Sequence, residues 1–300
     1  MENNKLLKCS IGIMAYNEEK NIKKTIESAA GQKIISGFIL EIIVIASGCT
    51  DNTVNIVKNI LPEIKTLKLL IQEKRQGKAS AINLFIKEAA GDILILQNAD
   101  NIPEENAFES LIKPFLDPKI GMTGGHPVPI NPRNKFMGYV AHLQWQIHHN
   151  LNKESVKLGE LIAFRNVVKK IPDNTAVDEI SLEAEIKKQG FNLAYAPGAL
   201  VINKGPETVK DFLKQRRRIF AGHLQVKKSL SYEASSMNPW RAVSLTFREF
   251  NNDRKHMFWI LGAVFLEMLG RLLGVYDFYI KKKNPVVWDM IESTKELNSN

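Results

Sequence analysis

From Cys9 onward the chain repeats one pattern: a short apolar run, a polar corner, then a segment whose apolar positions recur three or four residues apart. Cys9 to Ala15 reads as a buried strand, and Asn17-Glu18-Glu19 caps a helix through Ile22, Ile26 and Ala29 or Ala30 that Gly31 ends. Ile39 to Ala46 is continuously apolar and β-branched, as strands covered on both faces are. Its exit, Ser47 to Thr53, is a tight turn into a helix holding Val54, Val57 and Leu61. A third strand, Leu67 to Gln72, leads through Lys74-Arg75-Gln76-Gly77-Lys78 to a helix with Ala81 and Phe85. The fourth, Gly91 to Asp100, is an apolar run that stops at a corner carrying one acid. Strands alternating with helices at this spacing predict an α/β fold: a Rossmann-like, mostly parallel central sheet with right-handed crossovers and flanking helices.

Beyond Pro103 the rhythm changes. The pattern predicts a helix over about Glu104 to Leu116, a glycine-rich strand Gly121 to Gly125, a proline-spaced loop to Pro132 and a long helix over about Asn134 to Asn150. That helix carries His142, His148 and His149, which read as solvated or core-edge side chains, because adjacent residues point to different sides of a helix. Gly159 to Arg165 follows, then Asp178-Glu179 opening a helix, a strand Leu193 to Ile202, and a basic helix from Glu207 past Ile219.

Composition narrows the partners. A net charge of +9 and a pI near 9.3 call for an anionic partner, a nucleotide diphosphate or a lipid headgroup surface. Nucleic acid is not expected, since there is no zinc-finger spacing and no aromatic RNA-binding signature. Cys9 and Cys49 are too few for a disulfide framework, which points to a reduced, cytosolic setting, and Met1 to Lys8 lacks the apolar core of a secretory signal.

Asp100 is the first candidate for chemistry. A carboxylate at the C-terminal edge of an open sheet stands where such sheets bind ligands, and there it can hold a divalent cation against a diphosphate. Read alone, the corner Asn98-Ala99-Asp100 is better explained by ordinary turn and helix-cap chemistry. The corner after the first strand is Tyr16-Asn17-Glu18 where a dinucleotide fold needs Gly-x-Gly-x-x-Gly, so hydride transfer is not expected, and the P-loop pattern is missing too.

Six corners in order, Ala15-Tyr16-Asn17-Glu18, Thr50 to Thr53, Gly77 to Asn83, Asn98-Ala99-Asp100, Asp178-Glu179 and Gln215 to Arg218, resemble family 2 glycosyltransferases over residues 8 to 225. The likeness is closest to the branch of cellulose and hyaluronan synthases, with its Gln-x-x-Arg-Trp helix. The resemblance implies a type A glycosyltransferase fold that inverts the anomeric centre of a nucleotide sugar. It places Ala15, Tyr16, Asn17, Glu18, Ser47 and Asp51 around base and ribose, and Lys78 and Asn98 towards the phosphates. Asp100 would bind Mg²⁺ or Mn²⁺, and Gln215 and Arg218 would close over the diphosphate. The general base is Glu179 by position and Asp178 by residue type, with Glu179 favoured; charge in a first helical turn is the bland reading of both acids.

Three departures bear on function. Asn98 stands where the usual Asp-x-Asp begins, leaving a single acid in that motif. Ser47 replaces an acid that bonds uracil, so GDP stays open beside the favoured UDP. Ile219 replaces the tryptophan that stacks on the acceptor, which favours a single transfer to a lipid-linked or glycan acceptor. These departures also motivate the alternative of a nucleotide-sugar-binding scaffold that has lost catalysis.

Residues 1–230 form the expected catalytic domain and 231–300 a membrane-associating or packing tail. Pro239 to Phe250 reads as an interfacial helix, and Met257 to Tyr276 has the length of a membrane span, interrupted by Glu267 and Arg271 at i,i+4. With Lys281-Lys282-Lys283 beyond it, the expected location is the cytoplasmic face of an anionic membrane, by interfacial contact or a single span, with a soluble packing helix as the alternative.

Overall fold

The computed structural model describes residues 6–237 and 253–282, together with positions 244, 245, 248, 249 and 294. Most of the expected interfacial stretch Pro239 to Phe250, and Lys283, lie outside the described residues.

Strands β1 (Leu7–Ala15), β2 (Gly37–Ser47), β3 (Leu67–Gln72) and β4 (Ile93–Asn98) pair in parallel in the order β3-β2-β1-β4. Side-chain alternation sorts each buried strand between two cores. Ile42, Val44, Ile93 and Ile95 face α1 (Ile22–Ala30), α2 (Thr53–Ile60) and α4 (Ala107–Ile112). Ile43, Ile45, Leu94 and Leu96 face α3 (Lys78–Glu88) and α6 (Asp178–Lys188). Runs apolar at every position are therefore what this sandwich of helix, sheet and helix requires.

The second half of the sheet is mixed. The order continues β4-β7-β6-β8-β5, with β5 at Ile102–Pro103, β6 at Ile120–Pro129, β7 at Ile162–Arg165 and β8 at Asn192–Asn203. β7 runs antiparallel to both of its neighbours, while β6 and β8 are parallel. The proline-spaced stretch after Gly125 is strand, where a loop was expected. Gly125 N–H donates to Leu161 O on the β7 side, whereas Ile130 N–H donates to Asn203 O on the β8 side. Pro127 and Pro129 share the parity of Gly125, and the β7 pairing ends at Gly124, so their missing N–H groups leave no ladder bond unmade. The helix expected over Glu104 to Leu116 is shorter, because from Lys113 the chain tightens into a 3₁₀ turn with Pro114 at its start.

Three further helices, α5 (Phe136–Glu154), α7 (Val209–Leu230) and α8 (Met257–Tyr279), form a separate apolar cluster of Val140, Leu143, Phe212, Ile260, Ala263 and Leu266. Gly270 and Gly274 let α8 approach α7 closely: a Cβ at Gly270 would lie 2.7 Å from Arg216 Cβ, and one at Gly274 would lie 2.8 Å from Arg217 O. The charges that interrupt the apolar helix face inward. Glu267 accepts from Arg216 Nε at 2.6 Å and Nη2 at 2.9 Å, and from Arg271 Nε at 2.8 Å, while Arg217 pairs with Asp277.

Burial opposes ionisation of Glu267, but Arg216 and Arg271 overcome it and hold the carboxyl down at about 2. A group depressed in the fold contributes stability above its ordinary value that is lost as pH falls through the folded one. We expect on the order of 3 kcal/mol to disappear between about pH 4.5 and 2. Urea titrations followed by fluorescence, to which Trp259 in its Phe136–Tyr139 cage contributes, read this, and Glu267→Gln should be weaker at pH 7 and lack that acid-dependent part.

Candidate active site

The parallel register aligns the C-terminal ends of four strands: Ala15 lies beside Ala46, Met14 beside Asn98, and Ser47 beside Gln72. Across that edge opens a cavity of about 1000 Å³, roofed by α5, α7 and α8. Ala15, Tyr16, Glu18, Ser47, Lys78, Asn98, Asp100, Glu179, Gln215 and Arg218 all line it. Residues up to 203 positions apart in sequence, Ala15 to Arg218, are thus gathered around one cavity.

Two expected binding residues have another placement. Asn17, at φ 52, exchanges hydrogen bonds with Thr50 across the β1 and β2 exits. Asp51 caps α2 through Thr53 N and Oγ1 and accepts from Glu19 N at 3.1 Å. Neither is part of the cavity lining; both brace the loops that form its rim. Gly48 follows at φ +63, and a Cβ there would lie 2.5 Å from Arg75 N, so the β2 exit needs glycine to pass that loop. Arg75 in turn lays its guanidinium 3.7 Å over the Tyr16 ring.

The acids at the start of α6 are not equivalent. Lys78 Nζ sits 2.8 Å from Asp178 Oδ2 and 3.3 Å from Glu179 Oε1. Asp178 is 2% exposed and lies behind the lysine, off the cavity wall, whereas Glu179 is on it. Burial and the neighbouring Glu179 raise the Asp178 carboxyl to about 6. Burial also opposes ionisation of Glu179, but Lys78 prevails and holds its carboxyl below the usual range. Lys78, despite burial, is held charged by the same two acids. The lysine expected to meet phosphate is therefore already paired with carboxylates, and Glu179 faces the cavity ionised.

Asp100 is raised to about 6 by burial and by Glu160. Glu160 belongs to no motif read from the sequence, yet it lines the same cavity, and its Oε2 accepts from Asn98 Nδ2 at 3.2 Å and Asn101 Nδ2 at 2.9 Å. An acid sixty residues downstream of Asp100, at φ 63, carries no local signal that would mark it. The donor chemistry of this corner, carboxylates backed by an amide, suits a hard divalent cation such as Mg²⁺ or Mn²⁺. Among the described residues no group of three or more His, Cys, Asp or Glu side chains is arranged to hold a metal without further ligands.

The histidines divide. His142 bonds Asn131 O, His149 stacks on His126 and bonds Tyr195, and His148 is buried against Asn152. His223 is 5% exposed on the cavity wall, and burial with Lys157 and Arg216 lowers it to about 3. Cations around a neutral imidazole repel a metal ion, which argues against His223 as a ligand.

Helices on both faces of a largely parallel sheet, with a cavity across the C-terminal strand edge, define the type A glycosyltransferase fold. The chain belongs to glycosyl transferase family 2, whose family model matches residues 10–171, more than half of its length. It is 27% identical over 227 residues to poly-beta-1,6-N-acetyl-D-glucosamine synthase of Staphylococcus aureus, covering 71% of this chain and 54% of that one. The chain thus spans about half the length of the curated relatives it matches. Among solved structures, mannosyltransferase PcManGT from Pyrobaculum calidifontis, in complex with GDP-Man and Mn²⁺, is similar with a TM-score of 0.61, 17% identity and coverage of 92% of this chain and 76% of that one. S. aureus TarS 1-349 in complex with UDP is similar with a TM-score of 0.52, 15% identity and coverage of 96% and 95%.

Proposed function

We propose that the chain is an inverting glycosyltransferase that moves a sugar from a nucleoside diphosphate to a hydroxyl of a lipid-linked or glycan acceptor. The observation that carries this reading is the convergence of Asp100, Glu179, Gln215 and Arg218 on one cavity at the strand edge. Glu179 takes the acceptor hydroxyl's proton as that oxygen bonds the anomeric carbon, and the bond from that carbon to the diphosphate breaks on the opposite face. Arg218 and Gln215 close over the departing diphosphate from α7, the guanidinium offering a charge-assisted fork. Mg²⁺ or Mn²⁺ held at Asp100 would neutralise charge on that leaving group. Tyr16 under Arg75, with Ser47, forms the wall for the base.

The far half of the cavity supports a lipid-linked acceptor. Val140, Leu143 and Ile147 of α5, Phe212 of α7, and Ile260 and Val264 of α8 make an apolar passage. It reaches Leu261 and Met268, which also belong to the exposed face of α8. An acceptor with a hydrocarbon arm can lie along this passage while its hydroxyl meets Glu179. The reading places the enzyme on the cytoplasmic face of an anionic membrane, through α8.

Thermal unfolding with UDP, GDP, CDP and dTDP, each with Mn²⁺ or EDTA, tests the donor assignment. UDP with Mn²⁺ should raise the melting point by about 5 °C at 100 times Kd, and EDTA should abolish the shift. A shift with GDP alone would reassign the base, and no shift with any nucleotide would favour the non-catalytic scaffold.

A further inference from the structure

The corner after β4, Asn98-Ala99-Asp100, carries a single acid of its own. The fold brings a second acid to the same corner. Glu160 precedes β7, and β7 pairs with β4, so the turn before one strand meets the turn after the other. Its Oε2 is held by Asn98 and Asn101, the residues on either side of Ala99-Asp100, and its side chain lines the cavity with Asp100. Among the described residues no hydrogen bond reaches Glu160 Oε1, and none from another residue reaches the Asp100 carboxylate. Glu160 also keeps a left-handed backbone, at φ 63, which side-chain-bearing residues rarely adopt.

Asp100, Glu160, Asp178 and Glu179 all act on Lys78, which pairs with Asp178 and Glu179. Among the described residues neither Asp100 nor Glu160 forms an ion pair, although Lys78 and Lys157 act on them from the same cavity. Like charges so placed favour either a proton or a divalent ion.

We propose that Glu160 is the second carboxylate of the cation site, replacing from a separate strand the acid absent at Asn98. Asn98 is then a positioning residue: it no longer ligates through a carboxylate but aims the one that does. This rests on the glycosyltransferase reading, which supplies the divalent ion.

Mn²⁺ binding to the full chain, measured by the electron paramagnetic resonance of free Mn²⁺ with and without UDP or GDP, tests it independently of turnover. Glu160→Gln keeps an oxygen for Asn98 and Asn101 but removes the charge. It should weaken Mn²⁺ about 10- to 100-fold, as Asp100→Asn should. Adding Asn98→Asp to Glu160→Gln should recover most of the loss, and that recovery would itself show that the variants are folded. Unchanged Mn²⁺ affinity in Glu160→Gln beside loss in Asp100→Asn would overturn the proposal and leave the enzyme reading intact. If the unaltered chain binds no Mn²⁺ with any nucleotide, the metal-dependent reading fails, and Glu160 loses its role with it.

Discussion

Replacing Glu179 by glutamine is expected to lower sugar transfer by about 10²- to 10⁴-fold while leaving nucleotide affinity near that of the unaltered chain. Glutamine preserves the length of the side chain and an oxygen for Lys78, 3.3 Å away, but cannot accept the acceptor's proton. The residues assigned to the donor, among them Asp100 and Arg218, lie on other elements, so binding should persist where turnover does not. Asp178→Asn should behave differently. It removes the charge nearest Lys78, at 2.8 Å, from a buried position, so the effect falls on packing of the α6 start and only indirectly on transfer. Rate constants at saturating donor and acceptor, with nucleotide Kd measured separately, decide between them. Activity surviving in Glu179→Gln and lost in Asp178→Asn would hand the base to Asp178. Because Lys78 holds Glu179 below the ordinary carboxylate range, the base stays ionised through neutral pH, and proton acceptance by it is lost only as pH falls below about 4.5.

Strand positions were legible because burial on both faces leaves a continuous apolar run, and Ile42 to Ile45 show that run sorted into two cores. The corners were legible for a related reason: a strand must end in polar residues, and here those ends share one edge. What pattern cannot carry is the partner of a residue once the chain turns back. Asp51 and Asp100 both follow strands, yet Asp51 is consumed by Thr53 and Glu19, while Asp100 looks into the cavity. Nothing in either local sequence separates those outcomes. Glu160 is harder still, since its place depends on β7 entering antiparallel between β4 and β6. Glu267 makes the same point on α8. Its spacing to Arg271 is visible, but the bidentate partner is Arg216, fifty-one positions earlier on another helix. That third charge turns an apparent interruption of an apolar helix into its attachment to the catalytic fold.

With the charges of α8 directed at α7, the outer face is free of them, and this has a measurable consequence at a membrane. Phe258, Leu261, Phe265, Met268, Leu272, Val275 and Tyr279 follow one another at alternating spacings of three and four residues, and all are exposed. Phe265 and Leu272 are 64% and 65% exposed, and immersing each in the acyl boundary is worth roughly 1.5–3 kcal/mol. Phe265→Glu with Leu272→Glu should therefore cut partition onto anionic vesicles by at least about 10²-fold, without loosening the α7 contacts on the opposite face. Arg254 and Lys255 before the helix and Lys281 and Lys282 after it are exposed, and each adds about 1 kcal/mol of attraction that salt should screen. A vesicle flotation series in salt separates the two contributions: the apolar part survives high ionic strength, and the basic part does not. The helix is long and apolar enough to cross a bilayer, but a span would carry Glu267, Arg271, Arg216 and Arg217 into hydrocarbon with it. Lying flat keeps those pairs on the protein side and opens the apolar passage towards the acyl layer. Unchanged flotation of the double variant, together with loss of self-association in sedimentation, would instead make this stripe the seam between two copies of the chain.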